Sequence, residues 1–153
     1  MYSTILIPLD GSKRAEAILP HATQLARLYK ANVVLLQVFE LPHLIDLPKV
    51  EEGDFSALPH QHVTDVAESE KQAHAYLQSI VDTLTKKGIP AHQRIEFGPI
   101  AATIIRTATL EGADLIAMAS HGSSGLEGVY YGSVAAGVLQ RVDRPLLIVR
   151  AEN

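Results

Sequence analysis

Short apolar runs suited to buried strands alternate with stretches of helical spacing along the whole chain, and this alternation excludes most folds. Residues 4–9 read as a first strand, 33–38 as a second, 91–97 as a third, 115–118 as a fourth and 145–149 as a fifth. Between the first two, Ala15, Ile18, Leu19, Ala22, Leu25, Ala26 and Tyr29 recur at steps of three and four behind Ser12 as N-cap, marking one face of a helix. Val66, Glu70, Ala73, Leu77, Ile80, Val81 and Leu84 form a second helical stripe, closed by Lys86-Lys87-Gly88. Gly98-Pro99 opens a third, with Ile100, Ile104, Ile105 and Ala108 buried and Glu111-Gly112 at its end. A fourth starts at Gly132-Ser133 and continues through Val134, Val138 and Leu139. Parallel strands need crossovers, which helices supply. The expected fold is therefore a single α/β domain over 1–153, an open five-stranded and mostly parallel sheet with helices on both faces. The third strand is the most polar and is placed near a sheet edge. No linker and no internal repeat interrupts the pattern.

Composition narrows the function classes. Apolar residues make up 47% of the 153, enough for a substantial core. A net charge of −4 argues against a general nucleic-acid binder, which usually presents a basic face. The absence of cysteine excludes disulfides, thiolate metal sites and a cysteine nucleophile. No apolar stretch approaches the length of a membrane span, so no membrane insertion is expected. The chain enters Ile5-Leu6-Ile7 at once, without a basic or long apolar leader, and a cytoplasmic protein is the default expectation.

Periodicity disappears between Phe39 and about Thr64, a stretch with Pro42, Pro48, Pro59, Glu51, Glu52 and Asp54. It reads as a long solvated loop. His60 and His62 could begin a metal site, but no third ligand is specified, so no metal is assigned.

The chemistry concentrates after the fourth strand. Ala119, Ser120, His121, Gly122, Ser123, Ser124, Gly125 and Gly128 make a small, polar, glycine-bearing loop that ends where a helix begins at Ser133. Helix starts carry unpaired N–H groups and favour anions, and glycines let backbone approach a ligand, so the order strand, loop, helix suits a phosphate cradle. Other signatures fail. A P-loop needs a lysine, and none follows Lys87. A dinucleotide fingerprint needs a Gly-x-Gly turn, which Ala119-Ser120-His121 lacks. Gly122-Ser123-Ser124-Gly125 is one residue short of a nucleophile elbow. Ser120 beside His121 is not taken as a catalytic dyad, because sequence neighbours rarely present both side chains to one substrate atom.

These residues, with Ile5-Leu6-Ile7-Pro8-Leu9-Asp10-Gly11-Ser12, Gly98-Pro99-Ile100-Ala101 and Gly112-Ala113-Asp114-Leu115-Ile116, resemble the universal stress protein family from end to end. The chain is similar to the family's ATP-binding branch, whose signature is glycine, two residues, glycine, nine residues, glycine, then serine or threonine. Gly122 and Gly132-Ser133 match it, and Ala119 replaces the first glycine. If position 119 needs a positive φ, alanine there is strained by roughly 1 kcal/mol or more; if it needs only a small side chain, the cost is near zero.

The resemblance implies strand order 3-2-1-4-5, with a ligand crevice beyond the carboxyl ends of strands one and four. It implies that adenine nucleotide meets Pro8, Leu9, Asp10, Val38, Met118, Ala119, Ser120, His121, Gly122, Ser123, Gly132, Ser133 and Val134. Asp10 would serve adenine or ribose, Val38 would pair through its backbone with the adenine edge, and Met118 would pack near the base. Gly122, Ser123, Gly132 and Ser133 would surround the phosphates, and Mg2+ would be held mainly by those phosphates. From the residues alone plainer readings stand beside these: a cap aspartate, a core valine, a core methionine and an N-cap serine.

Three functions stay open at this point: an ATP-binding stress-response regulator, a slow ATPase, and a protein-interaction module that has lost its nucleotide. The loop shows no base to orient water, and no arginine falls between Arg106 and Arg141. No catalytic residue is named. The fifth strand, terminal in the implied order, is short and apolar, and the resemblance agrees with a homodimer formed through 145–149, with Leu147 and Val149 or their neighbours at its centre. A protein client is not identified.

Overall fold

The computed structural model describes residues 1–40, 60–122 and 131–151, with the side chains of 60–65 set aside. Five parallel strands form one sheet in the order β3-β2-β1-β4-β5, where β1 is Thr4–Pro8, β2 Asn32–Phe39, β3 Ala91–Phe97, β4 Leu115–Ala119 and β5 Leu146–Val149. The order and the edge position of β3 agree with the sequence reading. β1 is paired with β2 along its whole length, from Thr4↔Asn32 to Pro8↔Leu36. Its pairing with β4 is shorter and stops at Leu6↔Ile116. The two central strands therefore part at their carboxyl ends.

Among the described residues four α-helices cover the sheet: α1 (Leu19–Tyr29), α2 (His60–Lys86), α3 (Ile100–Leu110) and α4 (Ser133–Arg141). One core layer joins Ile5, Ile7, Val33 and Leu35 of the sheet to Ile18 just before α1, to Ala22 and Ala26 of α1, and to Leu77, Val81 and Leu84 of α2. The opposite layer joins Leu6, Val34, Leu36, Ile116 and Met118 to Ile104 and Ala108 of α3 and Ala135 and Val138 of α4. Residues alternate between the layers because strand side chains point to opposite faces in turn. Among the described residues no helix is long and apolar enough to cross a membrane.

β1, β2 and β4 differ from the sequence reading by one residue at one or both ends, β1 stopping at Pro8, β2 running over Asn32–Phe39 and β4 reaching Ala119, and three further boundaries differ for a local reason. The first helix is split: Ala15–Ile18 is a 3-10 turn and α1 starts at Leu19. Pro20 has no N–H to reach the Glu16 carbonyl, which instead accepts from Leu19, so the tighter turn absorbs the proline. α2 begins at His60, inside the stretch read as loop, because His60-Gln61-His62 lacks the apolar spacing that marks a helix in sequence. The remainder of that loop, 41–59, lies outside the described residues, as do the side chains of His60 and His62. β5 begins at Leu146 rather than Pro145, whose carbonyl accepts from Ile116 N–H (3.0 Å) but which has no N–H to return.

Candidate functional site

The parting of β1 and β4 opens a cavity of about 170 Å3. It is bounded by the ends of β1, β2 and β4 and by the first turns of α3 and α4. Pro8, Leu9, Asp10, Val38, Met118, Ala119, Ser120, His121, Gly122, Gly132, Ser133 and Val134 all line it. Ser123 lies outside the described residues.

Backbone phase decides what the walls offer. Along β2, Asn32 donates to Ser3 of the β1 side, and Leu36 accepts from Leu9 at 2.8 Å, so even-numbered residues turn their peptide groups toward β1. Odd-numbered ones turn to β3, as Val33 to Pro90 and Phe39 to Gly98 show. Val38 keeps the even phase one step past the β1 pairing, which ends at Leu36. Its N–H and C=O therefore face the gap left where β1 turns away at Asp10, a donor and an acceptor side by side. On β4, Ile116 and Ser120 donate to β5, so Ala119 between them turns its peptide groups to the crevice.

Asp10 sits at the turn, followed by Gly11 at a φ of 86° that favours glycine. Its Oδ1 accepts from Ser12 N–H (2.9 Å) and Ser12 Oγ (2.6 Å), and Ser12 Oγ accepts from Ala15 N–H (3.2 Å). The turn aspartate and the cavity-lining aspartate are thus one arrangement: Ser12 accepts from the amide at the start of the 3-10 turn, and its hold on Asp10 fixes the carboxylate at the mouth. Gly122 passes directly over it, leaving no room for a Cβ.

Ser120 is 2% exposed and uses every polar atom it has. Its N–H donates to Val149 (2.8 Å), its carbonyl accepts from Gly132 N–H (2.8 Å), and its Oγ accepts from Ala151 N–H (3.0 Å). The same Oγ lies 2.9 Å from Nδ1 of His121, itself 6% exposed. After accepting from Ala151 the hydroxyl keeps a proton to give and a second lone pair, so it can pair with Nδ1 in either tautomer of His121. Nε2 has no partner among the described residues. The two neighbours bond each other, which leaves open whether both could reach one substrate atom, and a buried hydroxyl held from both sides is not a free nucleophile.

At the far wall Gly132 is the N-cap of α4, in extended conformation with φ −67° and ψ 170°, and Ser133 is the first helical residue. The N-cap position expected of Ser133 belongs to Gly132. The Ser133 side chain makes no cap bond and stands exposed at the cavity beside the unpaired amides of the first turn. α3 also starts at this cavity, through Ile100.

Ala119 lies in β4 opposite Val149 and is not among the positive-φ residues, so alanine there carries no conformational strain. Sequence reasoning missed Ala15, Leu36, Ile100, Ile104 and Ala135, which also line the cavity. Each reads as an ordinary core position of its strand or helix; only the placement of Gly98-Pro99 before α3 marked that helix start as special.

Residues 1–150 match the model of the Universal stress protein family. The universal stress protein MJ0577 of Methanocaldococcus jannaschii is 28% identical, over 100% of this chain and 98% of the relative. The solved structure of MJ0577 superposes with a TM-score of 0.81 at 27% identity, covering 100% of this chain and 99% of that one. A universal stress protein in complex with cAMP shares the fold at a TM-score of 0.67 and 20% identity, covering 99% and 98% of the two chains. So does one from Archaeoglobus fulgidus in complex with dAMP, at a TM-score of 0.58 and 19% identity over 96% and 97%. Matched from residue 1 to 150 by that family's model and sharing the fold of its solved members, the chain belongs to the universal stress protein family.

Proposed function

We propose that this protein binds an adenine nucleotide, ATP, in the crevice between β1 and β4, and that it acts as a nucleotide-dependent regulator in the stress response. The observation that carries the reading is the peptide group pair of Val38. An adjacent N–H and C=O face a gap walled by Leu36, Ile100, Ile104 and Met118, which suits a flat base with a donor and an acceptor on one edge. At the opposite wall the start of α4 offers backbone N–H groups and the Ser133 hydroxyl to phosphate. Asp10 stands between them as an acceptor for ribose hydroxyls. The complexes of two proteins of this fold with cAMP and dAMP are in the same ligand class. Mg2+ accompanying ATP would be held mainly by the phosphates.

Binding rather than turnover is the favoured activity. Among the described residues the cavity is lined by no lysine or arginine. Its two ionisable side chains, Asp10 and His121, are each already engaged by a serine. Mass spectrometry of the purified and denatured protein should release adenine nucleotide, and calorimetry on stripped protein should show one ATP site. A stripped protein that takes up no ATP would leave the interaction-module reading in its place, and measurable phosphate release would favour the slow ATPase.

A further inference from the structure

Proline is rare in a central strand, because it removes a rung from the ladder on one side. β1 is the middle strand of this sheet and ends in Pro8. The side on which the rung is missing follows from phase. Ser3 and Leu9 bond β2, through Asn32 N–H to Ser3 and Leu9 N–H to Leu36, so odd-numbered residues of β1 face β2 and even-numbered ones face β4. Thr4 accepts from Asp114 on the β4 side, in keeping with this. In the register Leu6↔Ile116 the next amide that would donate across is that of residue 8, to the carbonyl of Ala117. Proline has no such amide. The pairing of β1 with β4 stops at this step, while its pairing with β2 continues through Pro8↔Leu36.

We infer that Pro8 is the positioning residue that keeps the crevice open: by withholding one N–H from β4 and none from β2, it lets the central strands part on the ligand side alone. Asp10 and Val38 keep their places because the β2 side remains zipped. Met118 and Ala119 line the cavity because the β4 side does not. The consequence for ligand rests on the nucleotide reading above; the consequence for the strands does not.

The test is Pro8→Ala in the whole protein, with Pro20→Ala as control. Pro20 lies in the first turn of α1, exposed and away from the cavity, where a restored N–H has no strand to join. Overall stability is a poor readout, since losing any proline also changes the unfolded chain. The direct readout is hydrogen exchange of the new amide at position 8, followed by NMR without nucleotide. That amide should be protected at least as well as the neighbouring amide of Leu9, and ATP affinity by calorimetry should fall about tenfold, while Pro20→Ala leaves affinity unchanged. An amide at position 8 that exchanges like unstructured chain overturns the inference, and so does an undiminished affinity for ATP. If the wild type binds no ATP but the amide is protected, the strand-parting role stands and the nucleotide reading falls.

Discussion

The backbone of Gly122 lies against the carboxylate of Asp10 so closely that a Cβ at position 122 would overlap Oδ2. The carboxylate has little freedom to withdraw, since its other oxygen is held by both the N–H and the hydroxyl of Ser12. Glycine is required here for space, because Gly122 has no left-handed φ. Gly122→Val should therefore displace Asp10 and lower ATP affinity about tenfold or more with a native far-UV spectrum. In an Asp10→Ala background the milder Gly122→Ala should cost much less than it does alone, a coupling of about 0.5–3 kcal/mol between neighbours. Equal costs in both backgrounds, measured by calorimetry, would show that Gly122 serves something other than Asp10.

Ser133 offers a cleaner test of the phosphate wall, because its hydroxyl has no capping duty to lose. Ser133→Ala should weaken ATP by about 1.5–3 kcal/mol, the range of a hydrogen bond to a charged group, and leave the unfolding midpoint within about 0.5 kcal/mol of wild type. Unchanged affinity would remove Ser133 from the site.

How much of this was legible beforehand differs by kind of feature. Strands and helices were readable because burial on one face or two writes a period into the sequence, and the order of the sheet came with the family resemblance. Lining residues with a turn or a glycine to announce them, such as Asp10, Gly122 and Gly132, were readable too. Leu36, Ile100 and Ile104 were not, since a residue that lines a cavity carries the same apolar side chain as one that fills a core. The role of Ser120 depends on Ala151 and Gly132 arriving from distant parts of the chain, and the direction of the Val38 peptide depends on where β1 ends. Such facts belong to register, and register is not written at any one position.

At the end of the sheet opposite the cavity, Asp114 ties the start of β1 to the start of β4. It accepts from Ser3 N–H (2.9 Å), Ser3 Oγ (2.8 Å) and Thr4 N–H (3.1 Å). Burial alone would raise its pKa, but these hydrogen bonds outweigh it and hold the carboxyl below its ordinary value. A depressed folded pKa gives stability that is fully present above the unfolded value and is lost as pH falls through the folded one. Asp114→Asn should therefore cost about 1–2 kcal/mol at pH 7, reduced from a buried pair by partial exposure, and the gap to wild type should close below about pH 4. Urea titrations at both pH values measure the gap; one that persists unchanged in acid would place the effect elsewhere.

The last prediction concerns β5, a sheet edge by strand order. Its side chains are all half-buried and shared between both layers, Leu147 and Val149 toward one core and Leu146 and Ile148 toward the other. Among the described residues, what remains unpaired is backbone. Ile116 donates to Pro145 and Ser120 to Val149, so odd-numbered residues of β5 bond β4 and the peptide groups of Leu146 and Ile148 point off the sheet. A second copy laid antiparallel by a two-fold axis would use those groups on both chains. We therefore expect a homodimer held by this ladder, with Leu147 and Val149 at its centre in position but committed to their own core through their side chains. Ile148→Pro removes an outward N–H that the chain's own sheet does not use, so it should give a folded monomer by light scattering. Val149→Pro removes an inward one and should destabilise the fold by about 1–3 kcal/mol, the cost of leaving a buried carbonyl of β4 without its donor. A wild type that is monomeric at high micromolar concentration, or an Ile148→Pro protein that remains dimeric, would show that the copies do not meet through this edge.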